Sequence, residues 1–249
     1  MIKVGIILTS IERDKSLFKA IQSILDNLQE DWMIILGYQS KTKTLEFSHP
    51  QVYSYELPYN CGISTARNDL IVKAYALGCT HVILTADSIL FNESMKQIGY
   101  LVSKLNENNY DLVGLDLENR IKWEANLQLI PNESFQLDFI DSKEKEKDVL
   151  VPCDIVRNFW LARIEALVKV PYDEQLIMVE HEDWFYRFKL AGYKVCCTSY
   201  CSGRYNKDEN TPIYDEIRSQ NFRIGKQRLL KKYNLKSWVV YKNLERIQK

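Results

Sequence analysis

Within the first 115 residues, short apolar runs alternate with segments of helical period, and this alternation restricts the chain to very few folds. Residues 2–9 form a near-continuous apolar run of the kind buried on both faces of a parallel sheet. A helix is expected over 14–28, with Leu17, Phe18, Ile21, Ile24, Leu25 and Leu28 on one face. Strands follow at Trp32–Leu36 and Val52–Leu57. A helix capped by Ser64 then runs to Leu77 and stops at Gly78. A further strand spans His81–Thr85, Asn92 can cap a helix carrying Met95, Ile98, Leu101, Val102 and Leu105, and a strand covers Asp111–Leu115. Strand alternating with helix predicts a doubly wound α/β fold, a mostly parallel twisted sheet with helices on both faces.

The pattern changes after Asp116. Residues 120–157 hold short alternating segments that predict a small antiparallel region, interrupted by the charged run 141–148, expected to be a solvated loop or hairpin tip. A helix is expected from Glu180, with Trp184, Phe185, Phe188 and Ala191 as its apolar stripe and Gly192 at the left-handed position that ends it. The tail from 211 to 249 is expected to be helical. From Arg218 onward it carries ten Lys or Arg against one acid, Glu245. Such a tail either balances acids elsewhere in the protein or offers peripheral contact to an anionic membrane surface or anionic substrate. With no repeat and no low-complexity linker, 1–249 is expected to be a single domain with halves at about 1–116 and 117–210, plus the tail.

Several function classes are excluded. Net charge is formally zero, so no global field attracts nucleic acid. No apolar run reaches the length of a membrane span, and the N-terminal residues lack a signal-peptide pattern. Six cysteines without a Cys-x-x-Cys motif predict buried thiols and a reducing, cytoplasmic setting. There is no Gly-x-Gly and no Gly-Lys-Ser/Thr, which argues against both a dinucleotide fingerprint and a phosphate-binding P-loop.

In an open α/β sheet, ligands bind beyond the carboxyl ends of the strands. Thr9, Gly37-Tyr38 and Thr85-Ala86-Asp87-Ser88 stand there. Asp87 could hold a divalent cation against a diphosphate, or simply cap the next turn. In Asn60-x-Gly62-x-Ser64-x-Ala66-Arg67-Asn68, Arg67 falls in the first turn of a helix, where a cation is unfavourable for the dipole. That placement calls for an anionic partner, which is either a ligand or a nearby acid such as Asp69. Three acids, Glu180, Glu182 and Asp183, open the later helix; compensation of the dipole is one reason, chemistry another. His181 reads as a packing residue. Asn158-Phe159-Trp160 can form an aromatic platform for a sugar acceptor, or Trp160 can belong to the core.

The order of these elements resembles the family 2 glycosyltransferases of the glycosyltransferase-A fold, over about residues 2–200: Thr9 after the first strand, the Asn60-to-Asn68 motif, Asp87 after an apolar strand, then Glu182-Asp183-Trp184 with Arg187 and Gly192. The resemblance implies transfer of a sugar from a nucleoside-diphosphate sugar, usually with inversion. UDP-sugar is favoured and GDP-sugar is the alternative; the acceptor would be a glycan, a lipid-linked glycan or a protein. It implies Asp183 as catalytic base and Glu182, Trp160 and Asn158 on the acceptor side. Thr9, Arg67, Asn68 and Asp87 would bind the donor, with Mn²⁺ or Mg²⁺ on Asp87, and Tyr38 would stack on the base. The chain departs from the family where Thr85 replaces the first acid of the Asp-x-Asp metal motif, where Gly37-Tyr38 replaces a base-contacting acid, and where no histidine follows the acid-led helix. A non-catalytic glycan- or nucleotide-sugar-binding module and a sugar-1-phosphate nucleotidyltransferase are the rival readings.

Overall fold

The computed structural model describes residues 2–41, 47–140, 149–206 and 211–243. The charged run expected as a loop at 141–148 lies outside the described residues. In chain order, strand β1 (Val4–Ile11) leads to helix α1 (Asp14–Leu25), then β2 (Met33–Gln39), β3 (Val52–Glu56) and α2 (Ile63–Ala76). Next come β4 (His81–Ala86), β5 (Ile89–Phe91), a short 3₁₀ turn (Glu93–Gln97), α3 (Ile98–Glu107) and β6 (Leu112–Leu117). The hairpin β7 (Ala125–Ile130) and β8 (Ser134–Phe139) precedes β9 (Val151–Cys153), β10 (Trp160–Arg163) and α4 (Ile164–Lys169). The chain continues through α5 (His181–Leu190), β11 (Val195–Tyr205), α6 (Pro212–Tyr233) and β12 (Val239–Lys242).

One nine-stranded sheet has the order β3-β2-β1-β4-β10-β6-β11-β5, with β9 also on β11. β3, β2, β1, β4, β6 and β11 run in one direction, as the alternation predicts. Side chains of α1 and α3 pack into an apolar cluster on one face, and those of α2, α4 and α5 into a cluster on the other. β10 was not anticipated. It lies antiparallel between β4 and β6, pairing Trp160 with Leu84 on one side and Gly114 on the other. Trp160 is therefore a core residue rather than an acceptor platform. Its ring is wholly buried and stacks on Trp184 at 5.6 Å between centroids.

Helix α5 forms where expected. Trp184, Phe185 and Phe188 are buried, while Ala191 is exposed and Gly192 adopts φ 86°. Helix α2 has Gly62 rather than Ser64 at its N-cap, and the Ser64 hydroxyl donates to Leu176 O instead. The Asn92 cap is present, its side chain accepting from Ser94 N, but it opens the 3₁₀ turn that leads into α3. The tail is helical over Pro212–Tyr233, with Thr211 capping Tyr214 N and Pro212 in the first turn. It then turns at Asn234 in the left-handed conformation and returns as β12, parallel to β8, to complete a second, three-stranded sheet. The buried residues of α6 are Asn221, Gly225 and Leu229, a narrow stripe at i, i+4 and i+8. Gly225 is there because Met178 is: a Cβ at 225 would lie 2.0 Å from Met178 O. All six cysteines are free thiols. Among the described residues no helix is long and apolar enough to cross a membrane.

Candidate functional site

A cleft of about 520 Å³ opens at the carboxyl ends of β1, β2 and β4, the place an open α/β sheet reserves for ligands. Thr9, Gln39 and Thr85 form part of its floor. Alternation along a strand decides which strand-end side chains reach it. Gln39 faces the cleft, while Tyr38 is buried beside α1 and donates its hydroxyl to Asp14 at 2.7 Å. Burial and that carboxylate push the Tyr38 phenol up to about 12. Tyr38 therefore does not stack on a base from this position, and Gln39 is the β2 residue able to read one.

The two motifs singled out in the sequence meet. Residues of the Asn60-to-Asn68 motif clasp the segment 172–180 that leads into α5. Gly62, at φ 86°, lies so close to Ile177 that a Cβ would meet its Cα at 2.9 Å. Ser64 bonds Leu176 O, and Ile63 N donates to Ile177 O at 3.0 Å. Asn68 accepts from Tyr172 N and donates to Tyr172 O, so it closes this loop and does not line the cleft. Arg67 donates to Glu180 Oε1 at 2.5 Å across 113 positions of sequence, with both side chains buried at the cleft wall. The acid that explains Arg67 is thus Glu180, while Asp69 pairs with Lys73. Val179, just before Glu180, takes φ 64°, a strained conformation for a β-branched residue.

The acid-led helix divides its carboxylates between two jobs. Asp183, expected as the base, is wholly buried away from the cleft. Its oxygens accept from Arg187 Nε at 2.8 Å, Lys232 Nζ at 2.5 Å and Tyr233 OH at 2.8 Å. A carboxylate saturated by three donors and shut off from the cleft cannot take a proton from a substrate. Glu182 lines the cleft, and its Oε2 is buried without a hydrogen-bond partner. Burial pushes the Glu182 carboxyl up to about 7, opposed by its own backbone amide and the Trp238 indole. That is where a general base or acid works best near neutrality. His181 also reaches the cleft, packed between Trp123 and Phe185; burial and the Arg67 charge push it down to about 3, which keeps it neutral.

At the other end, Asp87 is buried and already engaged. Oδ1 accepts from Arg13 at 2.5 Å and Oδ2 from Ser10 at 2.7 Å. Burial pushes its carboxyl up against the pull of Arg13 and Ser10. Among the described residues no group of three His, Cys, Asp or Glu is placed to hold a metal ion. A hard divalent cation wants several oxygens around it. Thr85 and an arginine-bound Asp87 do not provide that set, and the residues present do not fit the expected Mn²⁺ or Mg²⁺.

The rest of the wall was not legible as a site. Asn158, expected on the acceptor side, lines it, with its Oδ1 buried and unpartnered. Trp123, Arg120 and Arg157 come from the segments around the hairpin, and the Arg120 guanidinium lies 3.7 Å from the centre of the Tyr205 ring. Tyr214 and Phe222 of α6 and Trp238 beyond it close the remaining side. The basic tail thus supplies aromatic faces to the cleft. The signal for this was the run of aromatics among its charges, which fits a wall as well as a surface.

No protein-family model matches the chain. Among solved structures, residues 1–349 of S. aureus TarS superimpose with a TM-score of 0.60 at 12% identity, covering 92% of this chain and 66% of that one. The same protein solved with UDP gives 0.57 at 13% identity, covering 92% and 66%. Its complex with UDP-GlcNAc gives 0.59 at 11%, covering 92% and 73%. This chain therefore spans just under two thirds of the first of these structures. The likeness shows that this chain shares the fold of that protein, a large, mostly parallel sheet with helices on both faces.

Proposed function

We propose that this protein transfers a sugar from a nucleoside-diphosphate sugar, with UDP-sugar the favoured donor, to an acceptor hydroxyl with inversion, and that Glu182 rather than Asp183 is the general base. One observation carries this reading: in a fold shared with a protein solved with UDP-GlcNAc, Glu182 lines the cleft at the strand ends and keeps a buried carboxyl oxygen without a hydrogen-bond partner. The nucleotide would lie over Thr9 and Gln39, with Arg67 behind it. The acceptor would approach from the side of Asn158, His181 and Trp238. In-line attack forms the bond from the acceptor oxygen to the anomeric carbon, breaks the bond to the diphosphate oxygen, and delivers the acceptor proton to Glu182. Burial supports the role twice, by holding the carboxyl near neutrality and by keeping bulk water from competing for the sugar.

The test is mass spectrometry of mixtures of UDP- and GDP-sugars with glycan, lipid-linked and peptide acceptors, read for a mass gain on the acceptor and for free nucleoside diphosphate. A binding module would retain nucleotide sugar and release nothing. A nucleotidyltransferase would consume a nucleoside triphosphate instead. Either result would replace the present reading.

A further inference from the structure

We infer that the diphosphate end of the cleft is an arginine site: Arg13, held in place by Asp87, neutralises the leaving diphosphate without a divalent cation. The inference rests on the nucleotide-sugar reading and goes further than it does. Arg13 is 5% exposed. One of its terminal nitrogens bonds Asp87, its guanidinium carbon lies 4.6 Å from the centre of the Tyr214 ring, and its Nε is buried with no acceptor. Carboxylate and ring therefore fix the plane of the fork and leave a donor over. A buried N–H without a partner is costly, and one lining a ligand cleft calls for an anion. In the same cleft the Thr85 hydroxyl is also buried and unpartnered, and Ser10 adds a further polar group to the lining.

The same geometry disfavours a metal. A cation seeking Asp87 would meet a guanidinium already 2.5 Å from one oxygen and a hydroxyl bonded to the other. Asp87, which the family resemblance assigns to a metal, here positions an arginine. The arginine supplies fixed positive charge where charge develops, as the bond to the anomeric carbon breaks and its electron pair leaves with the diphosphate.

Calorimetry on the full chain tests this, with UDP and inorganic pyrophosphate as probes, in EDTA and again in Mn²⁺. UDP is expected to bind equally well in both. Arg13→Gln should weaken both probes at least about tenfold in EDTA, and Asp87→Asn, which loses the carboxylate that holds the guanidinium, should weaken them in EDTA as well, by a smaller factor. Thermal melting checks that each variant is folded. If Arg13→Gln is not folded, Arg13→Lys is read instead, which keeps the charge and loses the fork; weakened binding is again expected. UDP binding that requires Mn²⁺, or a folded Arg13 variant that binds like the parent, overturns the inference while the transferase reading stands. Arg13-dependent binding of pyrophosphate without any nucleoside diphosphate binding supports the arginine site and removes the nucleotide-sugar reading. Binding of neither probe removes both.

Discussion

Lys232 of α6 places its ammonium 2.5 Å from Asp183 of α5, joining two helices across 49 positions of sequence. The contact separates two neighbouring acids of α5: Asp183 is tied to α6, while Glu182 lines the cleft. Asp183 is one of the clamps that hold α6, and with it one side of the cleft, against the body, beside the bonds of Asn221 to Asn60, Arg228 to Gln175 O and Lys232 to Asp173.

Asp183→Asn keeps the shape and removes the charge that Lys232 and Arg187 face. The expected result is a loss of about 3 kcal/mol in stability, since breaking one side of a buried ion pair is strongly destabilising. Denaturant titration reads the loss directly. Residual activity per folded molecule should survive; a folded, stable variant with no turnover would return the base to Asp183.

Glu182→Gln should remove transfer while leaving UDP affinity within about twofold, because the amide cannot accept the acceptor proton. In the parent, the base must be ionised. Turnover should therefore be low below neutrality and rise with pH through about 7, the value to which burial pushes this carboxyl. A pH–rate profile with no ascending limb near neutrality would exclude Glu182.

The same shift has an opposite consequence for stability. The folded protein holds the Glu182 proton up to about 7, whereas an unfolded glutamate releases it at 4.5. Between those values the native state binds more protons than the unfolded chain, so stability falls as pH rises. At pH 8 the full desolvation cost is present, and Glu182→Gln should be more stable than the parent by up to about 3 kcal/mol. At pH 4 the advantage should vanish. Paired urea titrations at the two pH values measure it.

Gly225→Ala places a methyl group against the backbone oxygen of Met178, which cannot move aside as a side chain could. The expected cost is about 1–3 kcal/mol, with displacement of α6 from the cleft. Faster proteolysis within α6 together with a lowered melting point would show it. An unchanged melting point would mean that α6 does not seat as described.

Periodicity was enough to find most elements, because a 3.6- or 2-residue repeat reports which face is buried. It located α5 through Trp184 and Phe188 and the β1, β2 and β4 strands through their apolar runs. Resolving neighbours was harder. One residue along a helix is a rotation of about 100°, so Glu182 and Asp183 leave α5 in different directions, and only the position of α6 reveals that Asp183 meets Lys232. One residue along a strand is a change of face, so Tyr38 turns into the core and Gln39 into the cleft. The four-residue β10 was invisible for another reason. Its sequence, Trp160-Leu161-Ala162-Arg163, is too short for a periodic signal, and its partners lie far away in the chain. Arg13 follows the first strand without any motif around it, and its place in the cleft depends on Asp87, 74 positions later.

The insertion of β10 between β4 and β6 limits how the protein can be taken apart. An excised N-terminal portion ending near residue 116 would lack its central strand, leaving two hydrophobic strand edges facing a gap. Joining the C-terminal half of another protein of this fold to the N-terminal half of this one therefore means rebuilding the middle of the sheet, and chimeras should be cut at surface turns rather than near residue 116.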